Sequence, residues 1–312
     1  MPSHDSVIRI AALAIVIGMA ASQSGAAQQA EVATTVAFTE GPTVDRQGNV
    51  YFTDIINQRI MKLGADGRLS TFRETSNAAN GLLLDPEGRL IACEGATFER
   101  PGVKITGTPR VTRTDLKTGK IEVLADSYEG KPLTGPNDVT VDGKGRLYFT
   151  ELNGAAVYRI DAPGKLARIL SAADVKSPNG IQISPDDKKL YLVESNQGQG
   201  GPRLIRSYDL QPDGTVRNMR VLYDFSPGRS ADGMSIDTQG NLYLSAGLNR
   251  PRGTSETLDT KCGVHVVSPQ GKLLKFIPIP EDTITNNAFG GPDMKTLYVT
   301  ADMYLGRVRL NT

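Results

Sequence analysis

Six segments of this chain repeat one pattern, and a fixed period of this kind leaves few folds open. Each segment begins with a carboxylate or carboxamide residue, followed in most cases by a small one. It then alternates apolar residues up to a turn bearing Asp, Gly or Pro, and resumes as a β-rich run. The starts are Glu40, Asn80, Asn137, Asn179, Asp232 and Asn287, at intervals of 40, 57, 42, 53 and 55 residues, with the sixth unit the loosest. Two short runs joined by an Asp/Gly turn read as a hairpin. Most units add two more such runs, among them 59–63 with 69–72, 110–115 with 120–124, and 157–160 with 167–170. Four strands per unit predict an all-β, six-bladed β-propeller, and no helix-period segment competes beyond the first thirty residues. The sixth unit lacks an outer strand, while residues 32–38 precede the first unit without a partner. Pairing this N-terminal strand with the last blade closes the ring and removes an exposed edge.

The propeller is expected to occupy residues 28–312. Residues 1–27 read as a secretory signal: Arg9, a 12-residue apolar run over 10–21, then small residues. That run is short of the roughly 20 residues a spanning helix needs, so the expectation is an exported protein, periplasmic or secreted, that does not hold to the membrane once the signal is removed. Lys+Arg number 35 against 34 Asp+Glu, a net charge of +1, which gives no electrostatic footprint for nucleic acid and leaves a small molecule as the expected partner. Two cysteines, Cys93 and Cys262, do not make a disulfide framework, and one bridge or two buried thiols are both open. With His4 and His265 the only histidines, a poly-His zinc site is excluded, and His265, alternating within 263–267, reads as a strand residue between blades.

The first strand of each propeller blade lines the central channel, so the six segment starts are expected to converge on the axis. They comprise two carboxylates and four carboxamides. Carboxylates facing a shared channel repel each other and are costly to desolvate without a cation. An oxygen-only donor set favours Ca²⁺, with Mg²⁺ or Mn²⁺ behind and Zn²⁺ further behind. Asp45, Asp85, Asp142 and Asp237 recur with Gly three positions on and read as turn residues. The acids that end the second strands, Asp54, Glu94 and Glu151, are open between rim and site.

Glu40-Gly41-Pro42, Ser177-Pro178-Asn179-Gly180, Ala231-Asp232-Gly233-Met234 and Asn287-Ala288-Phe289-Gly290-Gly291 resemble, in order, the signature segments of the senescence marker protein, gluconolactonase and luciferin-regenerating enzyme family of six-bladed propellers. The resemblance implies one divalent metal ion at the tunnel mouth held by Glu40, Asn179 and Asp232, with Asn137 near or among the ligands, and lactone hydrolysis as the leading activity. Thr43, Gly95 and Gly135 depart from the pattern by replacing larger or polar groups, which points to a substrate other than the better-known sugar lactones.

The expected activity is therefore metal-dependent hydrolysis of a lactone or related cyclic ester. The metal, calcium first, would sit at Glu40, Asn137, Asn179 and Asp232 and polarise the ester carbonyl. Asp232 would act as base, or alternatively as nucleophile. Asn80, Glu94, Arg110, Glu151 and Asn287 are expected to line the substrate pocket. No Gly-x-Ser-x-Gly elbow occurs, so Ser/His/Asp hydrolysis is disfavoured. A phosphotriesterase-like hydrolase and a non-catalytic, calcium-stabilised ligand-binding propeller remain the alternatives.

Overall fold

A computed structural model describes residues 30–100 and 102–311, so the expected signal at 1–27 lies outside the described residues. The described chain folds as six four-stranded antiparallel sheets arranged as a propeller, with two small hairpins added. The innermost strands are Thr39–Val44, Leu82–Leu84, Pro136–Val141, Pro178–Ile183, Ala231–Ile236 and Ile284–Gly290, in blades one to six. Each packs against the innermost strands of both neighbouring blades, and the sixth returns to the first. Blades three and six therefore face each other across the axis.

Period-2 alternation explains how this ring builds a core. Successive residues of a strand point to opposite faces of the sheet, and each face meets a different neighbouring blade. In Val50–Asp54, Val50 and Phe52 pack toward blade six while Tyr51 packs toward blade two. In Leu147–Glu151, Leu147 and Phe149 pack toward blade two and Tyr148 toward blade four. In Lys189–Ser195, Leu190 and Leu192 join the cluster shared with blade three, and Tyr191 and Val193 the one shared with blade five. The remaining interface joins Tyr243, Val264 and Ile277 of blade five to Ile284, Leu297 and Val299 of blade six. The second strands are apolar on both faces because both faces are buried between blades.

Closure follows the sequence expectation. Glu31–Thr35 pairs antiparallel with Tyr304–Arg309 and becomes the outer strand of blade six. The joint is tightened where Thr39 Oγ1 donates to the Tyr304 carbonyl at 2.9 Å and Thr285 Oγ1 donates to the Thr39 carbonyl at 3.1 Å. The turn acids also behave as read. Asp142 Oδ1 accepts from Lys144 N and Arg146 N, both at 3.0 Å, and Asp45, Asp85 and Asp237 repeat the arrangement. Cys93 and Cys262 are separate buried thiols. His265 is buried between Phe225 and Phe276, with Nε2 at 2.9 Å from the Lys261 carbonyl.

The long intervals between segments have local causes. A hairpin, Thr97–Arg100 with Val103–Thr106, is inserted between the second and third strands of blade two. In blade five, residues 247–262 form an extended loop at the same stage of the repeat. Both insertions leave from the end of the ring at which the inner strands begin. The opposite end carries short turns.

Candidate active site at the axial mouth

Strand register fixes which residues are equivalent. Thr39 pairs with Asp54, Pro136 with Glu151, Pro178 with Glu194, Ala231 with Ala246 and Ile284 with Ala301. The next residue in each blade is Glu40, Asn137, Asn179, Asp232 and Thr285, with Asn80 in blade two. Five of the six expected axial residues thus share one level. The sixth does not: Thr285, rather than Asn287, occupies it. Asn287 lies two residues further along, where Nδ2 donates to the Tyr243 carbonyl and to Ser245 Oγ, both at 2.8 Å, and Oδ1 accepts from Ser235 Oγ. It ties blade six to blade five and is corrected from pocket residue to inter-blade clamp.

The level just past the axial residues is occupied by Gly41, Gly81, Asp138, Gly180, Gly233 and Asn286. Crowding explains the glycines: a Cβ at Gly81 would lie 2.5 Å from the Asn137 carbonyl oxygen. One at Gly233 would fall 2.0 Å from the side chain of Asn286. The two exceptions come from opposite blades and meet across the axis, where Asn286 Nδ2 donates to Asp138 Oδ2 at 3.2 Å. This bridge floors the axial site. Burial pushes the Asp138 carboxyl up to about 7, against the pull of the Val139 N–H and of Asn286.

Above this floor Glu40 is 6% exposed, and its Oε2 accepts from Gly41 N at 2.8 Å. Desolvation first, and then the charges of Asp232 and Asp138, raise its carboxyl well above the usual range. Asp232 is raised as well, chiefly by burial, while Arg229, Arg252 and a hydrogen bond from the Asn179 side chain oppose the rise. Asn137 and Asn179 are buried at the same level, and Asn179 Nδ2 also donates to Ser195 Oγ at 3.2 Å. Among the described residues no three His, Cys, Asp or Glu side chains converge as a metal site. Any ion on the axis must therefore draw on carboxamide oxygens as well as on Glu40 and Asp232.

Two cations at this mouth do not stand out in the sequence. Arg229, 4% exposed, pairs with Asp232 Oδ2 at 2.7 Å and donates to the Ile284 carbonyl at 3.0 Å. Arg252 approaches from the blade-five loop. The repeat holds a signal for Arg229. In blades one, three and four the acid that ends the second strand accepts backbone N–H groups leading into the first: Asp54 from Phe38, Glu151 from Thr134 and Gly135, Glu194 from Lys176 and Ser177. Blade five has Ala246 at that place, and Arg229 donates there through its side chain instead, at 3.5 Å to the Gly247 carbonyl.

The same comparison shows what three further expected pocket residues contact. Glu94 has no exposed surface, and its carboxylate is taken by Arg73 at 2.7 Å, Arg110 at 2.7 Å, Thr112 at 2.6 Å and Asn77 at 3.1 Å. Glu151 is occupied by the backbone of its own blade. Arg110 is held by Glu94. Glu94 thus has no free oxygen to offer a substrate, whereas Arg110 and Glu151 are each tied through one side of the group, Nε and Oε1. Asn80 stays at the axial level, half-buried. A cavity of 580 Å³ bordered by Ala30, Lys261, Cys262, Phe276 and Ile279 shares no residue with this site.

Residues 38–302 match the family described as SMP-30/Gluconolactonase/LRE-like region. The chain is 28% identical to the gluconolactonase of Zymomonas mobilis over 90% of its own length and 81% of the relative. It is also 28% identical to the 6-deoxy-6-sulfogluconolactonase of Pseudomonas putida, over 82% and 80%. A solved gluconolactonase structure from Xanthomonas campestris superposes with a TM-score of 0.74 at 25% identity, covering 91% of this chain and 90% of that one. A propeller whose register places Glu40, Asn179 and Asp232 at one axial level, matched over nearly all of its blades, belongs to the SMP-30/Gluconolactonase/LRE-like family.

Proposed function

We propose that this protein hydrolyses a lactone at the axial mouth, with a divalent cation, calcium first, held by Glu40, Asn137, Asn179 and Asp232. The observation that carries the reading is the placing of two carboxylates, Glu40 and Asp232, at one axial level beside two carboxamides, where the charge of Asp232 adds to the burial that raises the Glu40 carboxyl. Such a donor set is hard, oxygen-only and under-neutralised, because among the described residues Arg229 alone makes an ion pair with it. It suits a divalent ion of the calcium type. The relatives named gluconolactonase and 6-deoxy-6-sulfogluconolactonase support a cyclic ester as substrate.

When bound, the ion supplies Lewis-acid polarisation of an ester carbonyl. The chain's own residues do the rest. Asp232 orients and deprotonates the attacking water, and Arg229 fixes its carboxylate by holding Oδ2. Asn179 adds a second hydrogen bond to that carboxylate. The Asp138–Asn286 bridge closes the channel beneath, so that substrate enters and product leaves by one face. The apolar run at 10–21 further supports a lactone met outside the cytoplasm.

The test is a panel of lactones, esters and phosphotriesters assayed with and without chelator, beside Asp232→Asn and Glu40→Gln. Chelator-sensitive turnover of lactones, lost in both variants, is the expected result. Phosphotriester turnover in its place would move the protein to another hydrolase class, and ion binding without any turnover would make it a ligand-binding propeller.

A further inference from the structure

Several buried and half-buried arginines of this protein close on carboxylates, Arg73 on Glu94 at 2.7 Å, Arg206 on Glu194 at 3.0 Å and Arg229 on Asp232 at 2.7 Å, while Arg203, 4% exposed, is spent on backbone carbonyls. Arg252 does neither. It is half-buried at the axial mouth and makes no ion pair within 4.0 Å among the described residues; its guanidinium donates to Thr283 Oγ1. The charged groups that face it are Arg229, Asp232, Glu256 and Asp282. Each of the three carboxylates is engaged elsewhere. Asp232 is held by Arg229, and Glu256 accepts from Thr254 at 2.9 Å. Asp282 accepts from Asn249 N at 3.1 Å and Arg250 N at 2.8 Å.

The loop that carries Arg252 is pinned. Arg203 donates to the carbonyls of Asn196 at 2.9 Å, Gly198 at 3.0 Å, Pro227 at 2.8 Å and Ser255 at 3.3 Å, joining loops of blades four and five. Leu248 bridges to Lys261, and Thr257 to Gly228. A planar fork of donors held in place beside a reactive carboxylate, with most of its N–H groups uncommitted, is a receptor for an oxyanion. Its position is fixed before any ligand arrives, so little ordering cost is left for binding.

We propose that Arg252 is a specificity-determining residue that binds an anionic substituent, a carboxylate, sulfonate or phosphate, carried by the substrate away from its ester. The proposal rests on the lactonase reading for the identity of the substrate, but the binding it describes can be measured without hydrolysis. The probes are methyl β-glucuronoside and methyl β-glucoside, which share a ring and differ only in a carboxylate against a hydroxymethyl group. Titration calorimetry on the wild-type protein, Arg252→Gln and Arg252→Lys, each checked for unchanged thermal unfolding, gives the affinities.

The expected result is that wild type prefers the glucuronoside by at least about tenfold, consistent with a charge-assisted hydrogen bond. Arg252→Gln abolishes the preference, and Arg252→Lys keeps part of it. No preference in the wild type, or one that survives Arg252→Gln, overturns the proposal. A preference of the expected kind in a protein that hydrolyses no lactone leaves the anion receptor standing and removes the lactonase reading, so the two fail separately.

Discussion

The two faces of this ring use the same acidic side chains for opposite ends. On the turn face, Asp45, Asp85, Asp142 and Asp237 are each saturated by the backbone of their own turn. At the axial mouth, a buried Glu40 shares its level with the partly exposed Asp232, and burial raises both carboxyl pKa values. The first set stabilises the fold. The second stores unfavourable electrostatics, which a protein retains where a ligand or a reaction makes use of it.

Substitutions can break this contrast, and the largest effect is expected on catalysis. Asp232→Asn and Glu40→Gln should each lower kcat/KM for a lactone by at least about 10²-fold. Thermal unfolding of metal-stripped Glu40→Gln should stay level or improve, because the change removes a buried charge that Asp232 repels, whereas Asp232→Asn strips the buried Arg229 of its carboxylate and should lower Tm. Asp142→Asn should do the reverse of Glu40→Gln. It weakens a carboxylate that accepts from Lys144 N, Arg146 N, Arg146 Nε and Tyr148 OH at 2.7 to 3.1 Å. The expected loss of Tm is about 3–10 °C with kcat/KM kept, read by calorimetry and a lactone assay.

A pH series sharpens the comparison. Glu40 and Asp138 have carboxyl groups raised by burial, the latter to about 7. Across the interval between their unfolded and folded pKa values the folded chain holds the extra protons, so stability falls as pH rises. Metal-stripped protein should therefore lose Tm steadily from about pH 4 to about pH 7. Glu40→Gln and Asp138→Asn should each flatten that slope, and a saturating divalent ion should flatten it in the wild type. The smallest effect belongs to the rim of the turn face. Asp293, paired with Arg309 on the exposed surface, should tolerate conversion to Asn with a Tm change of less than about 1 °C.

The fold was legible because the repeat states it several times over. Asp/Gly turns, two-residue alternation and the surplus strands at the two ends of the repeat array each point to six blades and to the closure by Glu31–Thr35. The axial level was legible to the same extent, since five of its six residues stand at segment starts. Blade six misled because its Thr285-Asn286-Asn287 run offers carboxamides one and two places past the true level, and only strand pairing decides among them. Glu94 and Glu151 misled for another reason: whether an acid faces a substrate or a backbone N–H depends on contacts with distant residues such as Arg73 and Thr134. Arg252 sits in a loop outside the repeat, where periodicity carries no information. Arg229 had a faint marker in Ala246, the blade-five break in the row of acids.

The central claim is that Glu40 and Asp232 hold a divalent ion that lactone hydrolysis requires. The direct measurement is metal content and lactone turnover on one preparation, before chelation, after it and after calcium is returned, for wild type, Glu40→Gln and Asp232→Asn. The account predicts one ion per wild-type chain, turnover lost with the ion and restored by calcium, a higher Tm in the loaded protein, and neither ion nor turnover in the variants. Undiminished lactone hydrolysis by exhaustively chelated wild-type protein would contradict it.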